Sequence, residues 1–248
     1  LKSQGIDKET LPASNFVFLL DVSGSMNRAN KLPLLIKGFE LLVDQLDEED
    51  SIAIVVYAGA AGTVLEATPG NEKQKILASL NSLRAGGSTA GAAGIKLAYK
   101  IAQDNFIKDG NNRVILATDG DFNVGVQSES GLVSLIEEKR EKGVFLTALG
   151  FGTGNYQDSK MEKLANKGNG NYAYIDRLSE ARKVLVEEMG ASLFTVAKDV
   201  KIQVEFNPAK VKAYRLLGYE NRLLAKEDFD DDTKETGELD TKQKVTAL

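Results

Sequence analysis

The chain has 248 residues, of which 42% are hydrophobic and 27% charged. These values suit a globular protein and exclude collagen, a coiled-coil rod and wholesale disorder. It contains neither cysteine nor histidine, which excludes disulfides, thiol nucleophiles, iron–sulfur clusters, His- or Cys-ligated metals and every triad with an imidazole base. The formal net charge of -5 is spread along the chain, so no basic nucleic-acid face is expected, and no apolar run is long enough to span a membrane.

In chain order, residues 1–14 are polar, carry Pro12 and predict a linker. Residues 16–20 are an apolar run ending at Asp21, the pattern of a buried strand. A Gly/Ser turn follows, then Asn30 as the predicted N-cap of a helix with Pro33 in its first turn, reaching about Leu46. Residues 51–57, rich in Ile and Val, predict a second strand, and 63–67 a short edge strand. Helices are expected over 72–83 and 91–106, and a buried strand over 113–118, ending at Asp119. A helix over 131–142, a strand over 144–149, a helix over 160–167, a strand over 172–175 and a helix over 179–189 complete the alternation. In that last helix Leu185, Val186 and Met189 are expected to dock on the sheet. Alternating strands and helices argue for an α/β fold: a doubly wound, mostly parallel, Rossmann-like sheet with helices on both faces.

Beyond Ser192 the pattern changes. Residues 200–206 alternate as a half-buried strand, 214–217 and 244–248 look like further strands, and 227–232 form an acidic loop. The expected organisation is therefore a linker (1–14), an α/β domain (15–192) and the start of a β-rich region (193–248). With Leu1 at one end and strand-like residues at the other, the sequence reads as a piece of a longer protein.

The chemistry sits at two strand ends. Asp21-Val22-Ser23-Gly24-Ser25 closes the first strand, and Thr118-Asp119-Gly120 closes a later one. In open α/β sheets, ligands bind outside the carboxyl ends of the strands, where strand order reverses. If these strands are neighbours there, Asp21 and Asp119 face each other, with the hydroxyls of Ser23 and Ser25 turned toward the same centre. Two close carboxylates repel unless a positive charge separates them. Neither motif contains a basic residue, so a divalent cation is expected. All-oxygen donors select Mg²⁺, Mn²⁺ or Ca²⁺, and few carboxylates among several hydroxyls favour Mg²⁺ with open positions.

Asp21-x-Ser23-x-Ser25, Gly86-Gly87-Ser88-Thr89 and Thr118-Asp119-Gly120, in that order, resemble the metal-ion-dependent adhesion site of von Willebrand factor type A domains. The resemblance covers about residues 14–192. It implies that Asp21, Ser23, Ser25, Thr89 and Asp119 hold the metal, directly or through water; Thr89 enters on the resemblance alone. It implies a binding module, not an enzyme, in which an Asp or Glu carboxylate of a protein partner completes the Mg²⁺ shell. Residues 11–15, 87–91, 119–125 and 206–222 are similar to bacterial exported proteins carrying this domain, sometimes described as chloride-channel-like or batch-type. That likeness implies a cell-envelope or cell-surface location. Asn27, Arg28, Asp121 and Asn123 are candidates for setting specificity.

Other readings stay open at this stage. A metal-assisted hydrolase would need a general base, for which Asp121 is the nearby unassigned carboxylate. A purely structural metal would have every position filled by protein. An aspartyl phosphotransferase is disfavoured because Ser23 stands where its second carboxylate belongs. Gly150-Phe151-Gly152-Thr153-Gly154 lacks the third glycine of a dinucleotide loop, and Gly86 with Gly91 lacks the Lys-Ser/Thr of a phosphate loop. The acidic run from Asp228 lacks the Gly and Glu of a calcium loop.

Overall fold

The computed structural model describes residues 12–87, 91–120, 122, 129–152, 158–188, 195–200, 203–215, 225 and 237–240. In chain order its elements are β1 (Ser14–Asp21), a 3-10 turn (Gly24–Met26), α1 (Leu32–Val43), β2 (Ser51–Ala58), β3 (Ala60–Pro69), α2 (Lys73–Ser82) and α3 (Gly91–Asp104). There follow β4 (Asn111–Thr118), α4 (Glu129–Glu141), β5 (Val144–Phe151), α5 (Asp158–Lys167), β6 (Tyr172–Ile175), α6 (Leu178–Arg182) with a π turn (Lys183–Glu188), β7 (Thr195–Val200) and β8 (Gly237–Asp240).

The first six strands form one sheet in the order β3-β2-β1-β4-β5-β6. All pairings are parallel except β2 with β3, which is antiparallel. Every residue of β1 and β4 is buried, because both faces of the sheet are covered and a strand buried on both sides needs apolar residues at successive positions. Alternation then sorts the side chains. Phe16, Phe18 and Leu20 join Ile115 and the apolar sides of α1, α2 and α6 in one core. Val17, Leu19, Val114 and Leu116 join α3, α4 and α5 in the other. Phe18 and Phe39 meet edge to face at 4.3 Å, a contact worth about 0.5–1.5 kcal/mol beyond the area buried.

The strand path moves outward from β1 to β2 and β3, then returns to β4 and continues the other way. The reversal therefore lies between β1 and β4, and the expected adjacency of the two motif-bearing strands is observed: Leu20 is level with Ala117.

Several local expectations are corrected. The N-cap of α1 is Lys31, not Asn30, and no side chain caps the helix. The first helical bond already runs from the Leu35 amide to the Lys31 carbonyl at 2.8 Å, with Pro33 inside the first turn. The helix ends at Val43, so Leu46 lies beyond it, although still buried. The edge strand β3 spans ten residues, twice the expected stretch. Its Ala and Gly positions are weak strand formers, but β2 supplies their hydrogen bonds.

The last helix is broken, with one short α segment passing into a π turn. Leu185 is fully buried there as expected, Val184 is buried beside it, and Val186 is half-buried; Met189 lies outside the described residues. Its neighbour is α1 as well as the sheet. A Cβ on Gly38 of α1 would stand 3.0 Å from Leu185 Cδ1 and 3.3 Å from Ala181 Cβ, so a side-chain-free position lets the helices touch.

In the C-terminal part, β7 pairs antiparallel with β8. The predicted strand over 200–206 shares only Val200 with β7; residues 203–206 have no regular structure and Val204 is exposed. Gln203, Val204 and Glu205 are all exposed, so this stretch lacks the half-buried face that alternation predicts. Tyr214 and Arg215 are likewise irregular, with the Tyr214 ring 4.6 Å from that of Phe206. Residues 216–217, 227–232 and 244–248 lie outside the described residues.

Candidate metal centre

Asp21 is the last residue of β1 and has no exposed surface. Strand register explains its surroundings. Tyr57 of β2 is directly level with it on one side, and Thr118 of β4 follows Ala117, the partner of Leu20, on the other. Both hydroxyls donate to the same carboxylate oxygen, Tyr57 at 3.3 Å and Thr118 at 3.1 Å to Oδ2. The Ser23 amide donates to Oδ1 at 2.8 Å. Burial holds the Asp21 carboxyl above its ordinary value; the Ser23 hydrogen bonds pull it down, and the charge of Asp119 pushes it further up. Burial, helped by the Asp21 charge, also holds the Tyr57 phenol well above its ordinary value, so it stays a neutral donor.

After Asp21 the chain passes into the 3-10 turn. Ser23 and Ser25 point alike, with their hydroxyl oxygens 3.1 Å apart. Met26, fully buried, anchors the far side of the turn. Two backbone bonds join this loop to the next glycine pair: Gly86 N to Val22 O at 2.7 Å, and Gly24 N to Gly87 O at 3.1 Å. Residues 88–90, and with them Thr89, lie outside the described residues, as do Asp121 and Asn123. Asn27 and Arg28 are exposed beside the turn.

Asp119 follows β4, and its side chain is only 4% exposed. Its Oδ2 receives the Lys31 ammonium at 2.7 Å. Neither motif contains a basic residue, yet one reaches the carboxylate pair from outside both, from the N-cap of α1. Lys31 was not legible because nothing in the sequence distinguishes it from other lysines ahead of a helix. Tyr57 left a better signal, as an aromatic hydroxyl at the end of the strand neighbouring β1.

The donor set fits a hard cation. It consists of two buried carboxylates at adjacent strand ends and two hydroxyls in mutual contact, all oxygen. Among the described residues no group of three or more acidic side chains could hold a metal, and the described donors are two carboxylates and two neutral hydroxyls. That is the chemistry of a small ion that keeps waters rather than a fully caged one.

Comparison with known proteins agrees with this architecture. Residues 15–188 match the family profile of the von Willebrand factor type A domain. Residues 191–248 match a profile described as the C-terminal part of the uncharacterized protein YfbK. The chain is 50% identical over 240 residues to "Uncharacterized protein YfbK" of Escherichia coli (strain K12), covering 97% of this chain and 42% of that protein. It is 30% identical over 169 residues to "Uncharacterized protein sll0103" of Synechocystis sp., covering 67% of this chain and 39% of that protein. The chain thus spans about two fifths of the length of these curated relatives.

Among solved structures, a von Willebrand factor type A protein from Catenulispora acidiphila superposes with a TM-score of 0.62 at 19% identity, over 75% of this chain and 44% of that one. The conserved hypothetical protein BatB from Bacteroides thetaiotaomicron gives 0.61 at 22%, over 71% and 97%. Proximal thread matrix protein 1 from the mussel byssus, described with a zinc-occupied MIDAS motif, gives 0.55 at 22%, over 73% and 46%. At these identities the likeness is one of fold.

Proposed function

Because the chain belongs to the von Willebrand factor type A family, we propose that it is a metal-dependent protein-binding module and not an enzyme. The observation that carries the proposal is the meeting of Asp21 and Asp119 at the β1/β4 reversal, with Ser23 and Ser25 in the same loop. Asp21, Ser23 and Ser25 would hold the ion, with Asp119 and Thr89 completing the set directly or through water. A bound Mg²⁺ would supply an electrophilic open position that an Asp or Glu carboxylate of a partner protein can fill.

The protein's own groups prepare that position. Tyr57 and Thr118 hold one Asp21 oxygen, and the Ser23 amide holds the other, so the carboxylate cannot swing away. Neutral hydroxyls in place of further carboxylates leave the ion electrophilic enough to take an anionic ligand. The bonds between the Val22–Gly24 and Gly86–Gly87 backbones tie two loops of the site together. A zinc-occupied site of this name in a protein of like fold supports the metal and leaves its identity in the cell to measurement. An exported, envelope or surface location follows from the sequence resemblance. No helix among the described residues is long and apolar enough to cross a membrane.

Mg²⁺ titration with thermal unfolding tests the metal, and Asp21→Ala should abolish the Mg²⁺-induced rise in Tm. An unchanged rise in that variant would overturn the assignment. For the interaction, cross-linking in cells producing the tagged protein should capture partners that are lost with EDTA and in Asp21→Ala. Partners insensitive to both would overturn the metal-dependent reading. With Mg²⁺ or Mn²⁺, p-nitrophenyl phosphate should not turn over; turnover lost in Asp121→Asn would favour the hydrolase.

A further inference from the structure

Lys31 is not a surface lysine that happens to reach a carboxylate. Its side chain is 13% exposed and that of Asp119 is 4% exposed, at a separation of 2.7 Å. Among the other ion pairs of the described residues, Lys100–Asp104 and Lys142–Glu138 join side chains that are half or more exposed, and Lys139, 16% exposed, reaches a half-exposed Glu138. The stem of Lys31 also has a built channel. It lies against Gly152, which follows β5, and a Cβ there would stand 2.9 Å from Lys31 Cε and 3.1 Å from Cγ. Gly152 has φ of +110°, a backbone state that L side chains rarely adopt. The short glycine run 150–154, which lacks the third glycine of a dinucleotide loop, thus contains the residue that admits this lysine. Three elements converge on the arrangement: α1 brings the ammonium, β4 the carboxylate and β5 the gap.

We propose that Lys31 is a built-in counter-ion that competes with the divalent cation for Asp119 and thereby weakens metal binding. The inference rests on the metal-site reading above. The ammonium neutralises one of two carboxylates that would otherwise repel at the strand ends. A divalent ion arriving at Asp21 meets that positive charge close by, and drawing on Asp119 means loosening its bond to Lys31. The lysine thus offsets the repulsion between the two carboxylates and sets a threshold of metal, or of metal together with a partner carboxylate, for binding there. It is a positioning and affinity-setting residue, and it does not itself hold the ion.

The test is calorimetric titration of Mg²⁺ into the wild-type chain and Lys31→Met, with urea unfolding of both in EDTA. Removing the competitor should lower the Kd for Mg²⁺ by roughly 5–150-fold, the usual range for coupling between two ligands. The same variant should be less stable than wild type in EDTA, because it leaves Asp119 without the ammonium, and the gap should narrow in saturating Mg²⁺. A lysine that merely packs the fold would lower stability equally in both conditions and leave Kd unchanged. An unchanged or higher Kd in a folded Lys31→Met overturns the proposal while leaving the metal site standing. Absence of Mg²⁺ binding in both proteins overturns the proposal and the metal site together. If Lys31→Met does not fold, the wild type is acylated with an amine-reactive ester and mapped by mass spectrometry. Lys31 should react faster in saturating Mg²⁺ than in EDTA, and equal rates overturn the proposal.

Discussion

Asp21 shows how a buried carboxylate is made usable. With no exposure it accepts one amide and two hydroxyl hydrogen bonds, so its lone pairs are directed rather than stranded. Thr118→Val keeps the shape and removes one donor to the carboxylate, along with the acceptor for the Gly120 amide at 3.3 Å. It should cost about 1.5–3 kcal/mol in urea unfolding, the range for hydrogen bonds to charged groups; a change under about 0.5 kcal/mol would show that Tyr57 and Ser23 suffice. Asp50 offers a titration experiment away from the site. It accepts the Ser14 amide at 2.8 Å and the Asp47 amide at 3.0 Å, pinning the start of β1. Burial raises its carboxyl above the ordinary 3.8 against the pull of those bonds. A raised value means that the folded state holds the proton to higher pH than the unfolded state, so this group's contribution to stability falls as pH rises through that window. The stability lost in Asp50→Ala should therefore be larger near pH 4 than at pH 7. A loss that grows with pH would contradict the direction of the shift.

At the scale of elements, the helix pair α1 and α6 depends on one missing side chain. Gly38→Val would place methyl groups where Leu185 Cδ1 and Ala181 Cβ already stand. Overpacking of this kind typically costs about 1–3 kcal/mol, and denaturant unfolding should show it despite the better helix propensity of valine. A stabilised Gly38→Val would mean that α6 and its π turn are loosely held. The contrast between β1 and β3 shows where sequence reading is strong. β1 announces itself through an uninterrupted apolar run, whereas β3 is half-exposed and contains Ala and Gly, so its length depends on pairing with β2. Lys31, not Asn30, begins α1 for a related reason. A cap is selected by where the chain must turn to reach the sheet, and local preference for Asn is worth about 1 kcal/mol at most hosts.

For the whole molecule, a metal that binds at the strand ends would be linked to the fold. If Mg²⁺ binds the folded chain alone, a hundredfold excess over Kd adds about 2.7 kcal/mol to stability. Asp119→Asn should lose most of that gain. It also leaves the Lys31 ammonium opposite a neutral amide in a mostly buried place, so it should be less stable than wild type even in EDTA. Thermal unfolding across a Mg²⁺ series in wild type and Asp119→Asn reads both effects. A full Mg²⁺ gain in the variant would remove Asp119 from the metal set.

By itself the sequence determined the α/β class, the sites of the main strands and helices, and the two Asp-bearing loops, because apolar periodicity and strand-end motifs are local signals. It also excluded imidazole and thiolate ligands by composition. Only the tertiary structure decided that β1 and β4 are neighbours, that Tyr57 and Thr118 share one oxygen of Asp21, and that Lys31 answers Asp119 across 88 residues. These facts depend on strand order and on the approach of α1 to the end of β5, and long-range proximity leaves no mark on the residues nearby in sequence. Lys31 in particular passes close by Gly152, which has no side chain where the two elements converge.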